Sequence, residues 1–430
     1  MLKTAVIMSG GKGTRLKSLS TAIPKCMVEI GGDSILSHQL SWLEANAFEN
    51  IYIVAHHLSG LLIDHVQLLK LQNRFTCSIE VIVELEPKGT GGALSQVEKL
   101  IRGDFLFVLG DILFNFSLAG FYEFHVRKKS ILTVLIHPNS HPQDSDLVLV
   151  DSEKRITSVL CKPHEDTPYS NLAVSGISIA NEKIFEVLTG EFLDFYQEVL
   201  IRLVDEKNEV YGYQTTEYVA DCGTPDRLSK VRQHFEDGVV QARHLGNKQK
   251  ALFVDRDGTL NELDGYITSV EQIQPVQGAI ELVKVANQLG FIVIVITNQP
   301  VIARGDISED ELVKIHYKLA IDFALETAVI DAFFYCPHHP DSGFEGEIYE
   351  LKIPCDCRKP RAGLLEQAIE YYNIDRDRSF MVGDSECDVE AGIMAGVDSI
   401  LIEPQSTVKK PREHSYSVVS NISDVKEMLL

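Results

Sequence analysis

Apolar residues fall in short, β-branched runs through the first half of the chain: TAVIM at 4–8, IYIVA at 51–55, IEVIV at 79–83, FLFVLG at 105–110 and ILTVLI at 131–136. Runs of this length predict strands, most of them covered on both faces. Between the first two, SILSHQLSWLEANAF carries apolar residues at helical spacing. Strand and helix alternating in this way predict an α/β domain on a mostly parallel sheet. From about residue 229 the chain turns polar, and it ends in the basic stretch HLGNKQK, a closing helix followed by a linker. The rhythm then restarts with ALFVD, a helical pattern near 278–289, FIVIVIT, a second helical pattern near 309–326, and VIDAFFY. After an irregular Cys/His/Pro-rich stretch come a helix near 361–372, SFMVGD, another helix and SILIE. Two unrelated α/β domains are expected, over 1–235 and 250–430, joined by a linker at 236–249. No internal repeat or low-complexity tract interrupts them.

Length supports that division, since 430 residues exceed one ordinary domain. With 45% hydrophobic and 24% charged residues the composition is that of a soluble globular protein. A formal charge of −22 argues against binding nucleic acid or an anionic membrane, both of which call for basic surface. It leaves anionic small molecules open, because a basic pocket or a bound metal reverses the field locally. No apolar run approaches the ~20 residues of a membrane span. The opening MLKTAVIMSGGKG lacks the long apolar region of a signal peptide, so a cytoplasmic protein with reduced thiols is expected. Cys26, Cys77, Cys161, Cys222 and Cys387 are scattered and suit small buried hydrophobes. Cys336, Cys355 and Cys357 cluster with His338.

The first strand runs into Ser9-Gly10-Gly11-Lys12-Gly13-Thr14-Arg15-Leu16. Glycines let backbone N–H groups turn toward a phosphate, and Lys12, Arg15 and Lys25 can neutralise it. The loop is not a Walker A sequence, and Leu16 stands where a dinucleotide fingerprint has its third glycine. SGGKGTRL followed by Pro24-Lys25 resembles the sugar-1-phosphate nucleotidyltransferases, and the resemblance extends to about residue 228. It implies a Rossmann-like, mixed-sheet domain of GT-A type. The segment from Glu86 to Ala93 resembles that family's second nucleotide loop, which implies contacts from Gly89 and Gly91 beside those of Gly10, Gly11, Gly13 and Thr14. Leu109-Gly110-Asp111 and Asp221-Cys222-Gly223 resemble its two metal-binding aspartates, implying Mg²⁺ at Asp111 and Asp221. Lys162-Pro163 resembles the segment that grips the sugar phosphate, although Cys161 stands where many relatives carry Glu. The chemistry asks for such parts: a sugar-phosphate oxygen attacks the α-phosphorus of a nucleoside triphosphate, and positioning and charge neutralisation by Arg15, Lys25 and Lys162 carry most of the catalysis.

In the second half, Asp255-Arg256-Asp257-Gly258-Thr259 resembles the first motif of the haloacid-dehalogenase (HAD) type phosphatases. Thr297, then Arg358-Lys359-Pro360, then Gly383-Asp384 follow in the order that family has them. The resemblance implies Asp255 as nucleophile and Asp257 as acid and base. It also implies Mg²⁺ at Asp255, the Asp257 carbonyl and Asp384, with Thr297 and Lys359 on the phosphoryl oxygens. Cys336, His338, Cys355 and Cys357 are three thiols and an imidazole, a soft tetrahedral set suited to structural Zn²⁺, with His339 as an alternative to His338. Asn298-Gln299, Ala303-Arg304-Gly305, CPHHP and CDCRKP resemble the heptose-1,7-bisphosphate 7-phosphatases, which adds Asn298, Arg304 and Arg358 as substrate contacts. Ser385 departs from that family, which often has Lys there.

Together the resemblances imply a bifunctional enzyme of nucleotide-activated heptose synthesis. Its phosphatase would turn heptose 1,7-bisphosphate into heptose 1-phosphate, and its transferase would join that product to GMP from GTP. An alternative pairs a mannose-1-phosphate nucleotidyltransferase with a histidinol-phosphate-type phosphatase. A nucleotide-sensing regulatory protein is the non-enzymatic alternative, and retention of the five aspartates counts against it. The partners expected are these small molecules, with homo-oligomerisation left open.

Overall fold

A computed structural model of the chain describes residues 2–11, 23–164, 169–188, 191–403 and 416–430. The chain forms two compact units. One comprises Met1–His137, Asp146–Lys162 and Ala173–His244; the other comprises Leu245–Leu430 with Pro138–Ser145 and Pro163–Leu172. Among the described residues no helix is long and apolar enough to cross a membrane.

The first unit is built on a nine-stranded mixed sheet. Thr4–Ser9 lies between Asn50–Ala55 and Asp104–Leu109, parallel to both, and Ser78–Val83 extends the parallel part beyond Asn50–Ala55. Leu172–Asn181 runs antiparallel to Asp104–Leu109 and leads to the antiparallel pair Leu147–Val150 and Ile156–Leu160. That antiparallel flank lies outside the runs that periodicity identifies. Ser175, Gly176 and Ser178 break up the apolar character of its longest strand. A separate two-stranded ladder pairs Ile112–Asn115 with Tyr218–Asp221 and sets Asp221 opposite Ile112. The helix predicted over 34–48 is Ile35–Ala45, where the Ser34 hydroxyl caps the N-terminus by accepting from Ser37 N–H at 3.0 Å.

The second unit carries a parallel six-stranded sheet. Its central strands, Ala251–Val254 and Ile292–Asn298, are buried on both faces, as near-continuous apolar runs require. Leu252, Val254, Val293 and Val295 pack with Leu282, Leu312, Ile315 and Phe323. Their neighbours Ala251, Phe253, Ile292 and Ile294 pack with Leu364, Leu365 and Ala368 on the other face. Each fully buried aliphatic side chain contributes roughly 1.5–3 kcal/mol. This core holds the carboxyl ends of the strands still, and the site residues follow from them. Of the scattered thiols, Cys26 and Cys222 are buried as expected, whereas Cys77, Cys161 and Cys387 are only half-buried.

Two candidate active sites and a candidate metal centre

Ala251–Val254 lies between Ile292–Asn298 and Phe380–Gly383, all parallel. Positions just past their carboxyl ends therefore gather at one edge of the sheet. Asp255 follows the first strand, Thr297 and Asn298 close the second, and Asp384 follows the third. Lys359 joins them from the loop before the helix Gly363–Tyr371. Its ammonium lies 2.6 Å from Asp255 Oδ1, 2.6 Å from the Ile296 carbonyl oxygen and 2.5 Å from Asp388 Oδ1. Asp255, Asp384 and Asp388 each bring a ligand oxygen within 4.8 Å of the other two. Two glycines permit this crowding. A Cβ on Gly258, whose φ is +87°, would sit 2.1 Å from Asp384 Oδ2, and one on Gly383 would sit 2.3 Å from Asp388 Cβ.

The charge balance of this cluster points to a cation. Burial pushes the Asp255 carboxyl up to about 7; Asp388 and Asp257 push the same way, and Lys359 opposes them. Burial and Asp388 raise Asp384 as well. Burial alone would lower Lys359, but Asp255 and Asp388 outweigh it and hold it up. One ammonium thus serves three crowded carboxylates, a donor set of hard oxygens that fits Mg²⁺.

Asp388 is absent from the sequence expectations, although its spacing from Asp384 could have revealed it. Four residues on, it lies in the first turn of the helix Glu386–Met394, on the side facing back toward the strand end. It also accounts for Ser385, whose hydroxyl donates to Asp388 Oδ2 at 2.6 Å in a capping box. The Asp257 carboxylate stands apart from the three. Its Oδ1 accepts from Arg256 Nε at 2.9 Å, and its Oδ2 accepts from Arg256 Nη2 at 2.8 Å and Gln299 Nε2 at 3.0 Å.

Other expected contacts have protein partners of their own. Asn298 donates from Nδ2 to the Lys359 carbonyl at 3.1 Å and accepts the Lys359 N–H at 3.0 Å. Its amide therefore fixes the main chain of Lys359. The Arg304 guanidinium lies between the Tyr266 and Phe344 rings, 4.5 and 4.4 Å from their centroids, and Nε donates to Asp306. Arg358 Nη1 reaches the His338 carbonyl at 3.4 Å.

Cys336, at the end of the strand Ala332–Cys336, gathers with His338, Cys355 and Cys357. Sulfur–sulfur distances are 3.1, 3.3 and 3.5 Å, and His338 Nδ1 lies 3.2 Å from Cys357 Sγ. A tetrahedron with Zn–S bonds of ~2.3 Å has edges of about 3.8 Å, so the four donors sit slightly tighter than a zinc shell. Burial raises the Cys336 and Cys357 thiols. His339 is not part of the cluster; its Nδ1 accepts the Asp341 N–H at 3.2 Å.

In the first unit, Gly10 and Gly11 follow Thr4–Ser9, whereas Lys12, Gly13, Thr14 and Arg15 lie outside the described residues. Asp111 comes two residues after the neighbouring strand Asp104–Leu109, and Lys25 Nζ pairs with its Oδ2 at 2.9 Å. The Asp111 carbonyl accepts Cys222 N–H at 2.9 Å, so the short ladder sets Asp221 next along the same edge. Asp221 accepts Gly223 N–H at 2.6 Å and pairs with Arg227 Nη1 at 2.5 Å. Arg227 was not among the sequence candidates. It projects from the first turn of Pro225–Glu236, which Thr224 caps. Lys162 donates its N–H to Asp146 Oδ1 at 3.0 Å, which ties the segment beside Cys161 to the sheet.

Gly91 N–H donates to the Leu193 carbonyl at 2.8 Å, and a Cβ on Gly89, whose φ is +71°, would sit 2.4 Å from that same oxygen. Close backbone packing therefore accounts for both of these glycines. Glu84, just past the edge strand Ser78–Val83, is a buried carboxyl that sequence reasoning passed over. Burial raises it, and it accepts a 3.3 Å bond from Lys88 N–H. A Cβ on Gly10 would come within 2.8 Å of its Oε2, so the carboxylate lies against the Gly-rich turn.

Comparison with known proteins adds to this geometry. Residues 4–238 match the family model described as nucleotidyl transferase, and 356–425 match one described as HAD-hydrolase-like. A D-glycero-β-D-manno-heptose-1,7-bisphosphate 7-phosphatase of Pasteurella multocida is 36% identical over 42% of this chain and 97% of its own length. The D-glycero-α-D-manno-heptose-1,7-bisphosphate 7-phosphatase of Burkholderia mallei is 37% identical over 41% of this chain and 92% of its own. Among solved structures, HddC from Yersinia pseudotuberculosis is 26% identical, covering 54% of this chain and 100% of that one at a TM-score of 0.47.

Proposed function

The chain belongs to the nucleotidyl transferase family in its first half and to the HAD-type heptose-bisphosphate 7-phosphatases in its second, and we propose that the two halves act in succession on one sugar. It is a bifunctional enzyme, with boundaries for the two functions proposed near residues 235 and 250. Its phosphatase substrate is D-glycero-D-manno-heptose 1,7-bisphosphate, its transferase substrates are heptose 1-phosphate and GTP, and the final product is GDP-D-glycero-α-D-manno-heptose. The observation that carries this reading is the presence, in one polypeptide, of a phosphatase whose relatives leave a sugar 1-phosphate and a transferase family that consumes one.

In the first step Asp255 attacks the phosphorus of the 7-phosphate. The bond from phosphorus to the sugar oxygen breaks, and Asp257 supplies that oxygen with a proton. Water then attacks the aspartyl-phosphate, Asp257 takes its proton, and phosphate leaves Asp255 free. Lys359, with Thr297, holds the phosphoryl oxygens. Mg²⁺ bound by Asp255, Asp384 and Asp388 would offset the repulsion between the two anions.

In the second step an oxygen of the 1-phosphate, oriented by Lys162, attacks the α-phosphorus of GTP and pyrophosphate departs in line. Lys25 and Arg15 neutralise the triphosphate, while Asp111 and Asp221 are the carboxylates available to Mg²⁺. Glu84 supports the choice of base. Guanine offers two adjacent donors, N1–H and N2–H, that one carboxylate can accept together, and no other common base presents that pair. Supplying heptose 1-phosphate with each of the four nucleoside triphosphates tests this directly. Pyrophosphate release should be fastest with GTP, and a faster rate with ATP, CTP or UTP would overturn the assignment.

A further inference from the structure

Gln299 ends up with a larger share of the phosphatase hydrogen bonding than its place in the sequence suggests. It is buried, directly after the strand Ile292–Asn298, and all of its side-chain bonds go to residues of the site. Its Oε1 accepts from Arg256 Nη2 at 2.8 Å, while its Nε2 donates to Asp257 Oδ2 at 3.0 Å and to Thr297 Oγ1 at 2.8 Å. Arg256 is fully buried and forks the Asp257 carboxylate from the adjacent residue. Its remaining Nη1 has no hydrogen-bond partner among the described residues. Leaving a buried guanidinium N–H unpaired costs ~1–3 kcal/mol, so stability alone does not explain the arrangement.

The direction of each bond follows from elementary chemistry. Arg256 has only donors, so the Gln299 oxygen must face it, and the amide nitrogen must then face Asp257 and Thr297. Thr297 Oγ1 consequently accepts from Gln299, which leaves its own hydrogen to donate elsewhere. Thr297 lies at the same sheet edge as Asp255 and Lys359, where an oxygen of the transferring phosphoryl group can accept that hydrogen.

We infer that Gln299, held by Arg256, is a positioning residue that aims two catalytic groups at once: the Asp257 carboxyl toward the leaving oxygen, and the Thr297 hydroxyl toward the phosphoryl oxygen. Arg256 and Gln299 hold Asp257 between its two tasks, protonating the leaving sugar oxygen and then deprotonating the attacking water. Loss of the amide leaves Asp257 with the Arg256 fork alone and frees Thr297 to turn its hydrogen inward. This inference rests on the aspartyl-phosphate reading of the site, but not on the identity of the sugar.

Gln299→Leu and the near-isosteric Gln299→Glu test it, with the circular dichroism and thermal unfolding of the same preparations as the control for folding. With an alkyl phosphate such as heptose bisphosphate, kcat should fall on the order of 100-fold, the low end of a general acid–base contribution, with KM changing much less. With p-nitrophenyl phosphate the leaving group needs no proton. Formation of the aspartyl-phosphate should then lose only the Thr297 contact and fall far less than with heptose bisphosphate, while its hydrolysis, which also needs Asp257 as base, slows further and leaves a burst of nitrophenolate close to one equivalent per chain. Equal losses on both phosphates with no burst, or wild-type kinetics with both, would overturn the inference. If the wild-type enzyme does not act on heptose bisphosphate but the variants show these effects with other phosphate esters, the sugar assignment fails and the inference stands.

Discussion

In the phosphatase half, the Lys359, Asp255 and Asp388 side chains are joined at 2.5–2.6 Å with only 3%, 11% and 2% of their surface exposed. In the transferase half, Lys25 and Asp111 pair at 2.9 Å with 20% and 23% exposed. The difference follows from where the nucleophile resides. On the proposed mechanism Asp255, a part of the protein, forms the bond to phosphorus, so its surroundings can be assembled in advance in a low-dielectric pocket where each charge pair is strong. The transferase nucleophile arrives on the substrate. Its cations and carboxylates must stay accessible until the phosphates take their places, and until then Lys25 and Arg227 occupy Asp111 and Asp221.

Disabling each centre alone should have the largest effect. Asp255→Asn should abolish phosphate release while pyrophosphate formation from heptose 1-phosphate continues, and Asp111→Ala should do the reverse. Loss of both activities from either change, in a protein that remains folded by circular dichroism, would contradict two independent sites.

Removing the zinc ligands should have the next largest effect. Metal analysis should find about one tightly held zinc per chain for a closed four-ligand site. Cys355→Ser should lose the zinc and most of the phosphatase activity, because Cys357 adjoins Arg358 and Lys359, and should spare the transferase. A zinc-free preparation with full phosphatase activity would remove the metal from the account.

A smaller effect sharpens the claim that the phosphatase centre is preassembled. Asn298→Ala removes both bonds that hold the Lys359 main chain, worth about 1 kcal/mol each, so phosphatase kcat/KM should fall by up to roughly 30-fold. An unchanged rate would show that Lys359 needs no such clamp.

The parts of the two centres that could be read from the sequence are those announced by strand ends. Asp255, Thr297 and Asp384 each close an apolar run, and the parallel register brings them to one edge together with Lys359. Asp111 and Asp221 become neighbours through the short ladder that pairs Ile112 with Asp221, which no periodicity announces. Glu84 and Asp388 also went unnoticed, since the groups they meet are distant in the chain, and Arg227 is brought to Asp221, six residues before it, only by the turn that Thr224 caps. Glu84 lies against Gly10, and Asp388 meets Lys359 across the sheet edge. Gln299 belonged to a recognisable motif, but its two donor bonds exist only because Arg256 folds over Asp257. Gly89 and Gly91 show the opposite case. Their pattern suggested contact with a nucleotide, and part of it is explained by packing against Leu193.

On this reading one chain carries a single sugar through both steps. The most direct measurement is to incubate the whole enzyme with heptose 1,7-bisphosphate, GTP and Mg²⁺ and to identify the products by mass spectrometry. GDP-heptose should form with one phosphate and one pyrophosphate released per sugar, and heptose 1-phosphate should appear as a transient. Heptose 1-phosphate that accumulates without any GDP-heptose, or a bisphosphate that is never hydrolysed, would contradict it.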